Sequence, residues 1–257
     1  MGKTTTVLNV GCGLTGLGKR VLLIDLDPQA HLTSSFGMNP EDVSQSSYHI
    51  FSGETMVFPA PEIIEDSWEP VLTVIPANID LSLAEMKLYS ETGRDFILRN
   101  FLSKEVIADC EYDYCLIDCP PNLGILTINA FTASDYLIVP VQTEYLATRG
   151  FSALLDTLRV VRERLNPRLE ILGVLATMYD SRKVLDREIV EHISKSFGKE
   201  LFNARIRKNV SLAEAPSHGE SIFTYKPDST GADDYASLCK EIIARLEKED
   251  AKTKTRG

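Results

Sequence analysis

The chain has 257 residues, of which 44% are hydrophobic and 25% charged, and acidic side chains outnumber Lys and Arg to give a net charge of −10. These proportions suit a globular protein able to bury a sizeable core. They exclude a surface coated throughout with positive charge, while leaving room for a local basic patch. No apolar run approaches the roughly 20 residues that cross a bilayer, and the start lacks the basic-then-apolar pattern of a secretory signal. The expected location is the cytoplasm, with no membrane attachment.

Short apolar runs alternate with helical patterns along the chain. A helix is expected over Thr4–Leu17, directly after Gly2, followed by a strand over Val21–Leu26. A second strand is expected at Val71–Ile75. Leu83–Leu102 carries apolar residues at helical spacing, with Gly93 as a point of interruption. Tyr114–Asp118 and Tyr136–Val141 read as strands. Phe151–Leu165 reads as a helix stopped by Asn166-Pro167, and Leu169–Thr177 as a fifth strand. Helices follow at Leu185–Phe197, stopped by Gly198, and at Tyr235–Leu246. The charged stretch Glu247–Gly257 reads as a frayed tail. The strands carry few interior charges, as strands covered on both faces do. The fold class is therefore α/β, a doubly wound, mostly parallel sheet flanked by helices on both faces. Residues 1–257 read as a single domain without a linker.

The chemistry concentrates at strand ends. Gly2-Lys3-Thr4-Thr5 enters the first helix, as the second half of a phosphate-binding loop does. Backbone N–H groups and the dipole at a helix start hold phosphate oxygens. Lys3 would reach the β and γ phosphates, and the Thr4 hydroxyl would ligate Mg²⁺. Alone, this triplet is weak. The stretch Arg20 through Gln29, which holds the strand Val21–Leu26, carries Asp25 and Asp27 at its end, and alternation places the two on one side. The strand Tyr114–Asp118 ends in Asp118 before Cys119-Pro120-Pro121, like a Walker-B strand whose carboxylate holds Mg²⁺. Phosphate loop, Asp-x-Asp and strand-ending Asp118, in this order, form a specific constellation for Mg-nucleotide hydrolysis. The five cysteines, Cys12, Cys110, Cys115, Cys119 and Cys239, contain no Cys-x-x-Cys pair. Cys115 and Cys119 flank Leu116-Ile117 and read as small buried hydrophobes of a strand rather than as metal ligands. The four histidines are not at metal-binding spacing, and Trp68 reads as packing.

Several longer stretches resemble the ParA/Soj family of deviant Walker-A, P-loop ATPases. They include Lys19 through Gln29, Ile75-Pro-Ala-Asn-Ile-Asp80, Tyr112 through Pro121, Leu126-Thr-Ile-Asn-Ala130 and Pro140-Val-Gln-Thr-Glu-Tyr145. Thr177-Met-Tyr-Asp-Ser-Arg182 and Asn209 through Gly219 complete the set. The resemblance covers nearly the whole chain and separates it from MinD, iron-protein and cobyrinate-synthase relatives of the same fold. It implies ATP and Mg²⁺ as cofactors. Lys3 and Thr4 match the phosphate lysine and the magnesium hydroxyl, and Thr5 matches a residue near the α-phosphate. Asp27 matches the carboxylate that positions the attacking water. Asp25 and Asp118 match carboxylates near the magnesium shell, and Asn209 lies in the segment lining the adenine pocket. The resemblance further implies partitioning of DNA, a chromosome or a plasmid, by an ATP-bound homodimer that binds nucleoid DNA non-specifically and is released when a ParB-like partner stimulates hydrolysis.

Two departures stand out. The family loop reads Lys-Gly-Gly-x-Gly-Lys-Thr-Thr after an apolar strand, and the sequence begins at the x position. The expectation is that the polypeptide starts further upstream, with that strand and the cross-dimer lysine. A strand lost from the middle of a sheet would leave its neighbours' donors and acceptors unpaired, at ~1–3 kcal/mol each. Ser211 stands where the family often has a basic residue, and Arg149 where it often has an acidic one. Between Asp180 and Asn209 lie eight basic and five acidic side chains. Of these, Arg182, Lys183, Arg187, Lys195, Arg205, Arg207 and Lys208 are the candidates for DNA contact. The rival readings are a MinD-like membrane-positioning ATPase and a non-catalytic remnant. The C-terminal helix argues against the first, since its apolar residues suit core packing and the chain end lacks an apolar face.

Overall fold

The computed structural model describes residues 2–54, 72–103, 112–143 and 147–256. Trp68, Val71 and Cys110 lie outside them. The first half runs α1 (Lys3–Thr15), β1 (Val21–Asp25), α2 (His31–Ser35), α3 (Ser47–Ser52), β2 (Leu72–Ile75), α4 (Leu81–Leu88), α5 (Ile97–Leu102), β3 (Tyr114–Asp118) and α6 (Ile125–Ala133). The second runs β4 (Tyr136–Gln142), α7 (Ala147–Arg164), β5 (Glu170–Tyr179), α8 (Val184–Phe197), β6 (Ile206–Arg207), α9 (Ser211–Glu214), α10 (Ile222–Tyr225) and α11 (Thr230–Arg256).

All described strand pairs are parallel, in the orders β2-β1-β3 and β4-β5-β6. β1 is buried along its whole length, as its unbroken Val-Leu-Leu-Ile run requires. Alternation sends Leu23 to one core with α1 and α11, and Leu22 and Ile24 to another with α3, α4, α5 and α6. Gly11 lets α1 approach β1: a Cβ there would lie 2.8 Å from a Leu23 methyl. Leu172 and Leu175 of β5 join the same α1–α11 core, so this layer spans both sheets.

The described strands form two three-stranded parallel sheets. β3 and β4 do not pair, and a slot of about 1100 Å³ separates them. Leu116 and Cys115 of β3 line one side, Ile138 and Val139 of β4 the other, and Val7 and Val10 of α1 lie along it.

Two helix expectations change. Leu83–Leu102 is not continuous, because Gly93 at φ 75° breaks it and a 3₁₀ turn at Arg94–Phe96 separates α4 from α5. The tail expected to fray from Glu247 continues as helix to Arg256. Arg245 anchors this helix. Its guanidinium donates to the carbonyls of Leu172, Glu200 and Leu201 and lies over the Phe202 ring.

Candidate nucleotide site

α1 starts from Gly2, whose φ of 80° is left-handed and suits a residue without Cβ. No side chain caps this end. The first N–H groups of a helix have no intrahelical acceptor, so they form a cradle for an anion. The Thr6 hydroxyl ties down the Gly2 carbonyl at 2.7 Å, and Asn9 ties the Thr5 carbonyl at 2.8 Å. Lys3 reaches back across the cradle. Its ammonium donates to the Pro120 carbonyl at 2.8 Å, on the loop that follows β3.

Asp25 and Asp118 end neighbouring strands and pair in register. The chain leaves β1 toward β2 and leaves β3 toward β4, so this is the topological switch point where ligands of open α/β sheets bind. The two carboxylates differ in their surroundings. Asp25 is fully buried, and both its oxygens are engaged. One accepts the Asp27 N–H at 3.0 Å; the other accepts the Thr33 N–H at 3.0 Å and the Thr33 hydroxyl at 2.8 Å. Burial raises its pKa to about 6, against the opposing pull of these donors. Asp118 is only 1% exposed, and neither of its oxygens has a hydrogen-bond partner. Burial, and then the Asp25 charge, push it up to about 7, with nearby Thr4 and Lys3 pulling the other way.

Asp27 is buried at the start of a tight turn. One of its oxygens accepts the Gln29 N–H at 3.0 Å, and its carbonyl accepts the Ala30 N–H at 2.8 Å. Ala30 adopts φ 52°, a left-handed conformation rare for a residue with a Cβ. This strain closes the turn that fixes the Asp27 carboxylate.

The expected residues Gly2, Lys3, Thr4, Thr5, Asp25, Asp27 and Asp118 therefore come together. Asp25 stands behind the others, holding the Asp27 loop rather than offering a free oxygen. Asn209 lies apart, after β6. It donates to the Thr230 hydroxyl and accepts the Ser211 N–H. The Lys208 N–H meets the Tyr179 carbonyl at 3.2 Å, which brings this segment to the end of β5. Sequence reasoning missed Thr33, which buttresses Asp25, and Thr177, whose side chain packs on Gly2. Thr33 lies in a short helix without a periodic signal.

A buried carboxylate with both oxygens unpartnered, facing a hydroxyl and a helix start, suits a hydrated divalent cation. Mg²⁺ is commonly held by one or two carboxylates together with substrate phosphates. Among the described residues no three His, Cys, Asp or Glu side chains gather as a metal cage. The fit is thus to a cation shared with a ligand, with Thr4 and Asp118 as the protein's contribution.

The basic candidates are spread around α8 and β6. Arg182 is exposed and grips both oxygens of Asp180 at 2.9 Å. Arg187 donates to the Ser181 carbonyl, and Lys195 pairs with Glu191 at 2.8 Å. Lys183 is exposed at the start of α8, and Lys208 is exposed after β6. Arg205 stacks over Tyr179 at 5.0 Å. Arg207 is committed to Asp234 through a forked ion pair, 2.7 Å at its closest.

Residues 1–171 match a family model described as an AAA domain. The chain is 46% identical to sporulation initiation inhibitor protein Soj of Bacillus subtilis (strain 168), over 95% of this chain and 94% of that one. It is 40% identical to chromosome partitioning protein ParA of Caulobacter vibrioides (strain NA1000 / CB15N), over 98% and 93%. Among solved structures it resembles one of cobyrinic acid a,c-diamide synthase from Mycobacterium smegmatis with bound ADP and magnesium. That likeness has a TM-score of 0.80 and 34% identity, over 96% of this chain and 90% of that one. With a phosphate cradle, a lysine and a strand-ending carboxylate in place on a parallel α/β frame, and with identity of this level along nearly its whole length, the chain belongs to the ParA/Soj family of chromosome-partitioning ATPases.

Proposed function

We propose that this protein hydrolyses ATP with Mg²⁺ and uses the cycle to switch a dimer on and off DNA during chromosome partitioning. The observation that carries the reading is the convergence of Lys3, the α1 start and the unpartnered Asp118 carboxylate at the switch point. The α1 N–H groups and Lys3 bind the phosphates, with Lys3 exchanging the Pro120 carbonyl for phosphate oxygens. Thr4 and Asp118 would hold Mg²⁺, which neutralises charge developing on the phosphates. Asp27, fixed by its turn, orients the attacking water. Asp25 and Thr33 keep that turn in register with β1.

The DNA reading draws on the exposed cations Lys183, Arg187, Lys195 and Lys208, with Arg182 beside them. Arg205 and Arg207 are engaged within the fold and contribute less. Contacts of this kind are to phosphate, independent of base sequence and weakened by salt. A ParB-like partner that stimulates hydrolysis belongs to the same proposal. The membrane-positioning alternative is disfavoured by α11, whose Leu238, Cys239 and Ile242 are buried against α1 and β5. Among the described residues no helix is long and apolar enough to cross a membrane.

The test is phosphate release from ATP with and without Mg²⁺, for the wild type and Asp27→Ala. Mg-dependent turnover that the substitution removes, with ATP binding kept, supports the assignment. Undiminished turnover in Asp27→Ala would refute the role of Asp27.

A further inference from the structure

Tyr235 of α11 is 1% exposed and shares an apolar core with Leu8, Val10 and Leu14 of α1 and with Leu238 and Ile242 of its own helix. A phenylalanine would fill that space with no hydroxyl to desolvate, and a buried hydroxyl costs free energy unless it is hydrogen-bonded. Its partner is on α1: the Tyr235 oxygen lies 3.3 Å from the Thr6 hydroxyl, which is itself buried. The direction of this bond follows from the next one. Thr6 has a single hydroxyl proton, and the Gly2 carbonyl, 2.7 Å away, can only accept it. Tyr235 is then the donor to the Thr6 oxygen. Burial raises the pKa of the phenol and keeps it in the protonated form that this role requires. On either side of Tyr235 the helix is pinned. Asp234 accepts the guanidinium and the backbone N–H of Arg207, and one turn on the Cys239 thiol meets the Val10 carbonyl of α1 at 3.7 Å.

The relay ends at the phosphate cradle. The Gly2 carbonyl and the Lys3 N–H belong to one planar trans peptide, so they point in opposite directions. The carbonyl is drawn down the helix by the Thr6 N–H at 3.0 Å and by the Thr6 hydroxyl at 2.7 Å. The Lys3 N–H is thereby turned outward, to the side where an anion binds a helix start. Hydrogen bonds in series polarise one another. A proton donated to Thr6 therefore strengthens its bond to Gly2 and makes the N–H of the same peptide a better donor. Gly2 has a left-handed φ of 80° and no side chain of its own to restrict this peptide. We infer that Tyr235 is a positioning residue for the phosphates of the nucleotide: acting through Thr6, it fixes the Gly2–Lys3 peptide with its N–H aimed into the cradle. Helix α11 thus sets the geometry of a site built on the start of α1.

The inference rests on the nucleotide reading above, and the test separates the two. Binding of Mg-ATP and of Mg-tripolyphosphate, which has no base, is measured by calorimetry for the wild type, Tyr235→Phe, Thr6→Val, Thr6→Ser and the double variant Tyr235→Phe with Thr6→Val. Melting temperatures are recorded alongside. Tyr235→Phe keeps the ring in the core, and the Thr6 hydroxyl keeps Gly2 as its acceptor. No buried donor is stranded, so the melting temperature stays near that of the wild type. Affinity for both ligands should fall about fivefold, the loss expected of one hydrogen bond, because the relay acts on the phosphates and not on the base. Thr6→Val should lose at least as much, and Thr6→Ser, which keeps the hydroxyl, should stay near the wild type. Adding Tyr235→Phe to Thr6→Val should cost nothing further, since the relay is already cut. Wild-type affinity in Tyr235→Phe, or a full additional loss in the double variant, overturns the inference. So does a loss for ATP alone with tripolyphosphate unaffected. If the wild type binds neither ligand, the nucleotide reading fails and the inference with it.

Discussion

Asp118 offers a test that needs no assay of turnover. Its pKa in the folded chain is raised from 3.8 to about 7 by burial and by Asp25. A raised carboxyl favours folding fully below its unfolded value, and that advantage is lost as pH rises through the folded value. Once ionised, Asp118 weighs against folding by about 4 kcal/mol, at about 1.4 kcal/mol for each tenfold change in proton affinity. About 3 kcal/mol of this falls between pH 5 and pH 8. Asp118→Asn removes the charge. Its amide, left partly unpaired, costs about 1–3 kcal/mol at every pH, which moves absolute stability but not the slope. The assay is urea unfolding at pH 5, 6, 7 and 8 in Mg²⁺-free buffer containing a chelator. The wild type should lose stability steadily across the range, more from Asp118 than from Asp25, which is raised less. The substitution should flatten most of that slope. On the Mg²⁺-holding role proposed for Asp118, Mg-ATP should stabilise the wild type more at pH 8 than at pH 6. An unchanged slope in Asp118→Asn would show that this carboxyl does not carry the strain assigned to it.

Further outcomes follow from the same geometry. Lys3→Ala removes the cation that bridges the cradle to Pro120 and should weaken ATP binding at least tenfold in calorimetry, whereas Asp27→Ala should bind ATP normally and turn over none. Thr33→Val removes a buried donor to Asp25 and should lower stability by about 1–3 kcal/mol in urea unfolding, with turnover reduced because the Asp27 turn loosens. Replacing Lys183 and Arg187 with alanine should weaken binding to unrelated duplexes alike and reduce the slope of log affinity against log salt. Arg207→Ala should instead show up as lost stability, because the buried Asp234 carboxylate loses its guanidinium and keeps the backbone N–H of residue 207.

The strands of the sheet were legible because each is an apolar run bounded by turn residues. Tyr114–Asp118 is found where expected, and the other four expected strands begin or end within a residue or two of their predicted bounds. Helix α6 escaped notice because Ile125–Ala133 is apolar on nearly every side and shows no amphipathic period. The two-residue β6 is held by its pairing to β5, a long-range property that local pattern does not carry. At the site, the residue types were legible but their division of labour was not. Asp25 and Asp118 look equivalent as strand-ending carboxylates. Only the packing of Thr33 shows that one is spent on the loop and the other left open. The basic patch was least legible, since Arg207 and Lys208 are adjacent in sequence and only the fold commits the first to Asp234.

The site and the slot occupy one place in the architecture. Through Lys3 the start of α1 holds the loop after β3, and through Gly2 it rests on Thr177 of β5. It therefore bridges the ends of both sheets, across the gap that separates β3 from β4. A shift of one sheet against the other would pull on Lys3 and on Gly2 at once, because their contacts with Pro120 and Thr177 lie on opposite sides of the gap. The geometry of the cradle is therefore tied to the relative placement of the two sheets, and loosening either contact should be felt at the start of α1.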